Sequence, residues 1–321
     1  MLKQFAAKAA LIFAGIIAAL FLTEAALRLS LPDSAFGTGK KLKYMREVDI
    51  KKDWAIDPAF GFRPVLGNDR YNEYGAKVNA YSIRKKPGAR RLVFMGDSVT
   101  ARGKTIEGLR RFYGEDKFEY WNAGVESFNL VQEVEFYKRY NRPIKPDDVI
   151  LTFHLNDFET TPVVFVNKEN KLMVYTPRIP AGRINNFLFK NSCLYRLYLG
   201  CLIGLKSAIA NPKKEIEAEV YAGMRELKGI LARDGIRLTV IINPSLRPYE
   251  KWTAAEKVSR TKILKILEDL GIRHFDLYNV LDRAIKEGIE MKSDPADYAH
   301  PSDKMGLYFA EYLYQNRLFG E

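Results

Sequence analysis

The chain has little of the chemistry that disulfide-rich or metal-binding proteins use, with only two cysteines and three histidines in 321 residues. Cys193 and Cys201 are eight positions apart in a stretch whose pattern predicts a helix, which places their Cα atoms about 12 Å apart. That separation is too large for a disulfide, so we expect both to be buried apolar residues. The scarcity of histidine leaves three candidates for an imidazole base: His154, His274 and His300.

Internal repeats, low-complexity tracts, zinc-finger spacings and RNA-binding signatures are also absent from the sequence, so a nucleic-acid partner is not expected. Hydrophobic residues make up 47% and charged residues 28% of the chain, which is typical of a globular enzyme rather than a disordered protein. The net charge is +12, and much of it lies in short basic clusters such as 40–43, 85–91 and 213–214. Such clusters suit an anionic surface, either lipid headgroups or an acidic polymer, or form a merely solvated basic face.

The sequence contains a single long apolar run, Ala9–Leu22, preceded by two lysines. Extended to Phe5–Leu22, it provides about 18 residues, close to the roughly 20 that a membrane-spanning helix needs. We therefore predict that residues 1–32 are a membrane anchor, with the domain that follows lying outside the cytoplasm. The alternative is a signal peptide cleaved after small residues such as Thr23 and Ala25, which would release a secreted protein.

Residues 33–90 have the mixed composition of a linker and accessory lead-in, and 91–321 have the alternating pattern of one domain. Short apolar runs predict buried parallel strands at 92–95, 118–121, 147–153, 237–242 and 274–277. Amphipathic periodicity predicts helices at 106–113, 130–140, 214–234, 254–270 and 304–318. This alternation indicates an α/β fold with a parallel sheet of about five strands, covered on both faces. Ligands of such sheets bind beyond the carboxyl ends of the strands, so we expect the site there.

The segment 158–206 interrupts the alternation directly after the third strand. It begins with two strand-like pieces, Val163–Val166 and Leu172–Tyr175, and continues as an aromatic and leucine-rich helical stretch, Phe187–Leu205. Because this insertion leaves the domain beside the expected site, it suits either a lid that shapes the substrate pocket or extra packing against the sheet.

Two motifs at opposite ends of the domain supply the side chains that an activated serine needs. The triplet GDS at 96–98 follows the first predicted strand, where a sharp strand-to-helix turn exposes a hydroxyl and a helix amino terminus favours negative charge. The segment DYAHP at 297–301 precedes the last helix and brings a carboxylate and an imidazole to the same side. A serine hydroxyl needs an imidazole base, which a carboxylate holds in the right tautomer. We therefore predict Ser98 as nucleophile, His300 as base and Asp297 as the orienting acid.

Two further loops follow predicted strands and offer groups that can bind an oxyanion. Asn156, after the third strand, can direct its side-chain amide at developing negative charge, a contribution worth about 3–4 kcal/mol to the transition state. The loop NAGVES at 122–127 follows the second strand and offers backbone N–H groups. His154 ends the third strand, where it either contacts substrate or packs in the interior.

Taken in order, these four pieces resemble the SGNH (GDSL) hydrolase family, whose blocks are a GDS serine, a glycine after an N-x-G-like loop, a GxND asparagine and a DxxHP aspartate–histidine pair. The resemblance covers about Arg91 to Phe319. It implies a three-layer α/β/α flavodoxin-like sandwich, ester hydrolysis or acyl transfer without a metal or other cofactor, and an oxyanion hole formed by Ser98, Ser127 and Asn156. The sequence departs from the family at two positions, because His154 stands where the third block begins with glycine and Ser127 where the second block has its glycine. A backbone N–H survives the second change.

The sequence thus predicts a serine esterase or acyltransferase that acts on ester-linked acyl groups. O-acetyl groups of an extracytoplasmic glycan are the favoured substrate, because the anchor places the enzyme at a cell surface. Two alternatives remain open. The anchor and the apolar insertion also fit a lipid esterase, lysophospholipase or thioesterase, and the two departures from the family also fit a catalytically silent glycan-binding or assembly protein on the same fold. The sequence determines neither the acyl acceptor nor the oligomeric state.

Overall fold

The computed structural model describes residues 2–30, 42–44, 53–57, 61–79, 81–158, 163–166, 172–175, 184, 187–188, 191–195, 197–198 and 213–320. The chain divides into two compact units. One combines Met1–Ile56 with Pro162–Pro212, and the other combines Asp57–Thr161 with Lys213–Glu321. The second and larger unit contains every predicted site residue.

Ten strands occur in the described residues. In chain order they are β1 (Leu42–Tyr44), β2 (Trp54–Asp57), β3 (Gly61–Pro64), β4 (Arg90–Gly96), β5 (Phe118–Asn122), β6 (Asp148–His154), β7 (Val163–Val166), β8 (Leu172–Tyr175), β9 (Arg237–Asn243) and β10 (Arg273–Asp276). The α-helices in the same part of the chain are α1 (Leu2–Ser30), α2 (Ser98–Arg102), α3 (Lys104–Tyr113), α4 (Leu130–Phe136), α5 (Lys213–Arg233), α6 (Ala254–Asp269), α7 (Tyr278–Lys286) and α8 (Asp303–Gln315).

The larger unit is built on a five-stranded parallel sheet in the order β10-β9-β6-β4-β5. Numbered among themselves, these strands have the order 2-1-3-4-5 of doubly wound flavodoxin-like sheets, reversed in direction. The progression across the sheet reverses at β4. Because strand–helix–strand crossovers are right-handed, α3 covers one face, and α4, α5 and α6 cover the other. The structure therefore confirms the predicted α/β fold, with helices on both sides of a parallel sheet.

The strands are apolar along their length because both faces of the sheet are covered. In β4 every side chain from Leu92 to Met95 is buried, and in β6 the same holds from Val149 to Leu151. Helix residues such as Leu227, Leu267 and Phe309 complete this core.

Close packing of α3 against α8 brings the two ends of the larger unit together. A Cβ added to Gly306 would lie 2.7 Å from the Cβ and 2.8 Å from the carbonyl carbon of Lys104, so only glycine permits this approach. Gly108 on the other helix is equally confined, since its Cβ would lie 2.6 Å from that of Ala310. An ion pair of 2.6 Å between Lys104 and Asp303 joins the starts of the two helices. The segments just before these helices, which carry Ser98 and His300, are thereby held side by side.

Residues from Asp57 onward contribute to the larger unit before the first strand of its sheet. Phe62, Tyr71 and Ala76 are buried, and the hydroxyl of Tyr71 donates a hydrogen bond of 3.0 Å to the carbonyl of Gly124. This part of the predicted lead-in therefore supports the loop that follows β5.

The smaller unit contains α1 and an antiparallel sheet in the order β1-β8-β7. Within α1, Ala10–Ser30 is long and apolar enough to cross a membrane. In the insertion, β7 and β8 lie where the sequence predicts them, and the described residues of the predicted 187–205 helix, apart from Ser192, have helical backbone. Cys193 is buried and is not disulfide-bonded, whereas Cys201 lies outside the described residues.

Differences from the predicted elements are small in the larger unit. Strand and helix ends shift by up to three residues, and the predicted helix 130–140 ends at Phe136 and continues as a π-helical turn, Tyr137–Asn141. The sequence pattern missed α7, which buries only Val280, Leu281 and Ala284 and is too short for a clear periodicity.

Candidate active site

Ser98 lies where β4 turns sharply into α2. It is the first residue of that helix, and the Asp97 carboxylate caps the helix by accepting a hydrogen bond of 2.8 Å from the backbone N–H of Val99. The N–H groups of the first turn of a helix have no intrahelical acceptor and favour negative charge. The position therefore suits a serine that must carry or stabilise an anion.

Gly96 makes this turn possible. Its φ of +147° belongs to a region that favours glycine, and an added Cβ would lie 2.2 Å from Oγ1 of Thr100 and 2.8 Å from the carbonyl oxygen of Thr152. The hydroxyl of Thr100 donates back to the carbonyl of Met95 at 3.1 Å. Any side chain at position 96 would push α2 away from the sheet.

His300 lies within hydrogen-bond distance of both Ser98 and Asp297. The Nε2 atom of His300 lies 2.7 Å from Oγ of Ser98, and its Nδ1 lies 2.6 Å from Oδ2 of Asp297. Both side chains are largely buried. A neutral imidazole with its proton on Nδ1 donates to the carboxylate and accepts the serine proton at Nε2, which is the geometry that a base-activated serine requires.

The backbone around Asp297 fixes its carboxylate. Oδ1 accepts hydrogen bonds from the N–H groups of Ala299 at 3.0 Å and His300 at 3.2 Å. Burial raises the pKa of the Asp297 carboxyl, but the N–H of Ala299 and both the imidazole and the N–H of His300 outweigh it, so the pKa lies below its usual value. The carboxylate therefore stays ionised at neutral pH.

Arg102 is a neighbour of this group that the sequence analysis missed. Its Nη1 lies 3.2 Å from Oδ2 of Asp297, and its side chain is 50% exposed. The signal in the sequence is its spacing, because positions four apart share one face of a helix and Arg102 is four residues after Ser98. An exposed guanidinium thus stands beside three partly buried polar groups.

The loop after β5 packs directly on α2. A Cβ on Gly124 would lie 2.3 Å from the backbone nitrogen of Ala101, so the two backbones touch. Asn122 donates from Nδ2 to the carbonyl of Thr100 at 2.8 Å, and the N–H of Val125 donates to the carbonyl of Gly96 at 2.9 Å. The predicted oxyanion loop is therefore held against the turn that carries the serine.

Ser127 has a left-handed backbone with φ of +64°. Glycine adopts this conformation without the steric cost that a Cβ brings, so the position has the backbone geometry of a glycine site even though a serine occupies it. The residue is exposed.

His154 is buried, with 7% of its surface exposed. Nδ2 of Asn243 lies 3.1 Å from Nδ1 of His154 and 3.0 Å from the carbonyl of Ala299. Since that carbonyl accepts only from an N–H, the orientation of the amide is fixed. Nδ1 of His154 also lies 3.3 Å from the backbone carbonyl of Asn243, so the ring tautomer decides whether Nδ1 accepts from the amide or donates to this carbonyl. Burial lowers the pKa of His154, which keeps the ring neutral.

Asn243 is the second residue that the sequence analysis missed. It ends β9 at the same edge of the sheet as His154, and it ties β6 to the loop that carries His300 through the two contacts of its amide. The sequence signal is an asparagine directly after a buried strand. Asn156 follows β6 in a single 3₁₀ turn, Leu155–Asp157, and its side chain lies outside what the structure describes.

Glu133 in α4 is a buried carboxyl near the serine turn. Only 3% of its surface is exposed, and neither carboxyl oxygen has a hydrogen-bond partner in the described part of the chain. Burial, with the charge of Asp97 as a second cause, raises the pKa of Glu133 well above its usual value. The carboxyl is therefore neutral in the folded protein at pH values where an unfolded chain ionises it.

This shift predicts a pH-dependent loss of stability that Glu133→Gln removes. The unfolded carboxyl releases its proton above about pH 4.3 while the folded one keeps it, so the free energy of unfolding falls by up to about 1.4 kcal/mol per pH unit above that value. Wild type and Glu133→Gln should unfold at similar urea concentrations at pH 4. As the pH rises to 8, the urea midpoint of the variant should increase relative to that of the wild type.

Glu135→Gln, on the same helix, is the matched control. Ion pairs with Lys138 and Arg139 overcome partial burial and lower the pKa of Glu135, so its removal should cost stability at neutral pH instead. Parallel pH profiles for wild type and Glu133→Gln would show that Glu133 ionises normally in the folded state.

In the part of the chain that the structure describes, no group of three or more His, Cys, Asp or Glu side chains is arranged to hold a metal ion.

Comparison with known proteins finds likeness in fold only. No family model matches the chain, and no curated protein matches its sequence. Among solved structures, Axe2, an acetylxylan esterase from Geobacillus stearothermophilus, is 14% identical, with a TM-score of 0.45 over 72% of this chain and 96% of its own. The acetyl xylan esterase AlAXEase is 14% identical, with a TM-score of 0.44 over 71% and 99% of the two chains. A protein described as an acylhydrolase from Bacteroides fragilis is 13% identical, with a TM-score of 0.42 over 73% and 89%.

Proposed function

We propose that this chain is a serine esterase or acyltransferase of the SGNH type that acts on ester-linked acyl groups, with O-acetyl groups of an extracytoplasmic glycan as its substrate. The observation that carries the proposal is the chain of two short contacts through one imidazole. Ser98 Oγ lies 2.7 Å from Nε2 of His300, and Asp297 Oδ2 lies 2.6 Å from Nδ1. Ser98 from one end of the domain and Asp297 and His300 from the other end meet there, with the imidazole between the hydroxyl and the carboxylate, as acyl transfer requires.

In the proposed mechanism, Ser98 Oγ attacks the ester carbonyl while Nε2 of His300 takes its proton. The imidazolium formed is stabilised by the ionised carboxylate of Asp297, which keeps its own charge. His300 then gives the proton to the departing alcohol, leaving an acyl group on the serine. Water or a second hydroxyl, activated by the same imidazole, releases the acyl group and restores the serine.

The negative charge on the carbonyl oxygen needs donors that are already in place. We assign this role to the backbone N–H groups of Ser98 and Ser127 and to the side-chain amide of Asn156. The position of Ser98 as the first residue of α2, where the N–H has no acceptor within the helix, supports the first assignment. The left-handed backbone of Ser127 and the packing of its loop on α2 support the second.

His154 we propose as a structural residue rather than a substrate contact. Its burial and its neutral ring, whose Nδ1 contacts Asn243, support this role. It helps to position the loop of His300 through the amide of Asn243.

The surface of the loop that carries Asp297 and His300 supports a polar substrate over a long acyl chain. Tyr298 in this loop is partly exposed, with the guanidinium of Arg247 4.5 Å and the ammonium of Lys292 3.5 Å from its ring centroid. The guanidinium of Arg247 is already paired with the carboxylate of Glu256, so the cations of this surface are Lys292 at the ring and Arg102 beside Asp297. A surface of this kind suits a hydroxyl-rich or anionic glycan.

An acyl-chain panel tests the proposal. Purified protein is given 4-nitrophenyl acetate, butyrate and octanoate, with 4-nitrophenolate release as the readout, and acetylated neutral and uronic-acid oligosaccharides, with acetate release as the readout. We expect the acetate ester to exceed the octanoate by about tenfold or more in kcat/KM, and acetate to be released from at least one glycan. A preference for octanoate would instead establish the lipid esterase or thioesterase alternative.

Covalent labelling by a fluorophosphonate distinguishes both enzymes from a silent binding protein. We expect labelling of the wild type that is lost in Ser98→Ala. Absence of labelling in correctly folded wild type would favour the glycan-binding alternative.

A further inference from the structure

Glu24 is an acidic residue inside the apolar helix α1, and the insertion provides its partners. Its carboxylate accepts hydrogen bonds from the hydroxyl of Ser192 at 2.9 Å and from the backbone N–H groups of Cys193 and Leu194 at 2.8 Å each. Arg28, one turn further along α1, donates to Glu24 at 2.8 Å and to the carbonyl of Asn191. A carboxylate in an apolar helix is costly unless it is paired in this way.

A second connection within the same unit joins the chain after α1 to the insertion. Strand β1 pairs with β8 in an antiparallel register that runs from Leu42 opposite Tyr175 to Tyr44 opposite Met173. The insertion thus completes a sheet with the N-terminal segment. It also provides hydrogen-bond donors to the one acidic side chain of the apolar helix. These two connections depend on different parts of the insertion.

The outer surface of this unit is apolar. The apolar stretch of Ala10–Ser30 is nowhere buried against protein. Large side chains along it, such as Phe13, Phe21 and Leu29, are exposed. In the insertion Ile184 and Phe187 are exposed as well. A lipid bilayer covers a surface of this length and polarity, since an apolar helix of about 20 residues matches its hydrocarbon thickness.

We infer that the N-terminal segment and the insertion form one membrane-anchoring unit, in which α1 is retained in the mature protein and the partner is a phospholipid bilayer. This gives the insertion a role that neither a lid nor extra packing against the sheet describes. The inference is independent of the esterase proposal, because none of its residues takes part in the chemistry.

The position of Glu24 also opposes cleavage of α1 as a signal peptide. The small residues Thr23 and Ala25, the candidates for a cleavage site, flank Glu24 in the middle of a helix that continues to Ser30. Cleavage after Ala25 would remove the carboxylate and leave the hydroxyl of Ser192 and two backbone N–H groups without their acceptor, which costs free energy for each buried group.

The accessibility of Cys193 tests the contacts between Glu24 and the insertion. The residue is 3% exposed, and its N–H is one of the donors to Glu24. In the full chain carrying Cys201→Ser, so that Cys193 is the single thiol, Glu24→Ala should raise the rate of N-ethylmaleimide labelling by about tenfold or more in detergent micelles. Thr23→Val is the matched control, since Thr23 bonds only within its own helix, to the carbonyl of Ala19, and it should leave the rate unchanged.

Intact mass and membrane extraction test retention directly. The protein isolated from membranes of expressing cells should have the mass of the chain with α1, and alkaline carbonate should not release it. A mature chain that starts near position 26, release by carbonate, or equal labelling of Cys193 in wild type and Glu24→Ala would each overturn the inference.

Discussion

Replacing Ser98 by alanine is expected to lower kcat for 4-nitrophenyl acetate by about 10⁴- to 10⁶-fold. In the proposed mechanism this hydroxyl attacks the carbonyl while the imidazole of His300, 2.7 Å away, takes its proton. The remaining activity would come from substrate binding and the oxyanion donors, which act without a nucleophile. Stability should change little, because a single partly buried hydroxyl is lost.

Ser82→Ala is the matched control for this variant. Ser82 is an exposed serine whose hydroxyl accepts only a local hydrogen bond, of 3.2 Å, from the N–H of Arg84. It should retain full activity. If Ser98→Ala turned over the ester at the wild-type rate in folded protein, the serine esterase proposal would be wrong, since no covalent step at Ser98 would be needed.

The second large effect is expected from Asp297→Asn, with a fall in kcat of about 10³- to 10⁴-fold. The asparagine oxygen can still accept from Ala299 and His300, so the loop should keep its shape. Its amide nitrogen, however, would face Nδ1 of His300 as a donor. The imidazole would then carry its proton on Nε2, where it can no longer accept the proton of Ser98.

Asp294→Asn controls for the change of charge in the same loop. Asp294 is exposed and accepts from the N–H of Ala296 at 2.8 Å, a contact that asparagine preserves. Asp294→Asn should leave kcat unchanged. The pH profile of kcat/KM should also differ between Asp294→Asn and Asp297→Asn. Activity of Asp297→Asn within a few-fold of wild type would remove Asp297 from the mechanism.

The sheet was predictable because its strands are local patterns. Runs such as Leu92–Met95 and Val149–Leu151 are apolar at every position, which only a strand buried on both faces requires. The strands β7 and β8 were predictable for the same reason, because each follows from a local sequence pattern. By contrast, α7 is a nine-residue helix with three buried side chains, too little for periodicity to reveal.

The contacts that support the site were not predictable in this way. Asn243 lies far from both His154 and His300 in the sequence and belongs to no motif. In the smaller unit, the partners of Glu24 likewise follow it by more than 160 residues. Contacts over such separations depend on how the helices pack, which neighbouring residues do not encode.

The sequence by itself determined which chemical groups are present and at which end of which strand they stand. The GDS triplet after β4 and the DYAHP segment before α8 each follow from local turn and helix preferences. Only the tertiary structure decided that they meet. Gly306 and Gly108 let α8 approach α3 closely enough to bring Nε2 of His300 within 2.7 Å of Oγ of Ser98, because a helix crossing of that closeness depends on side-chain volume on both helices at once.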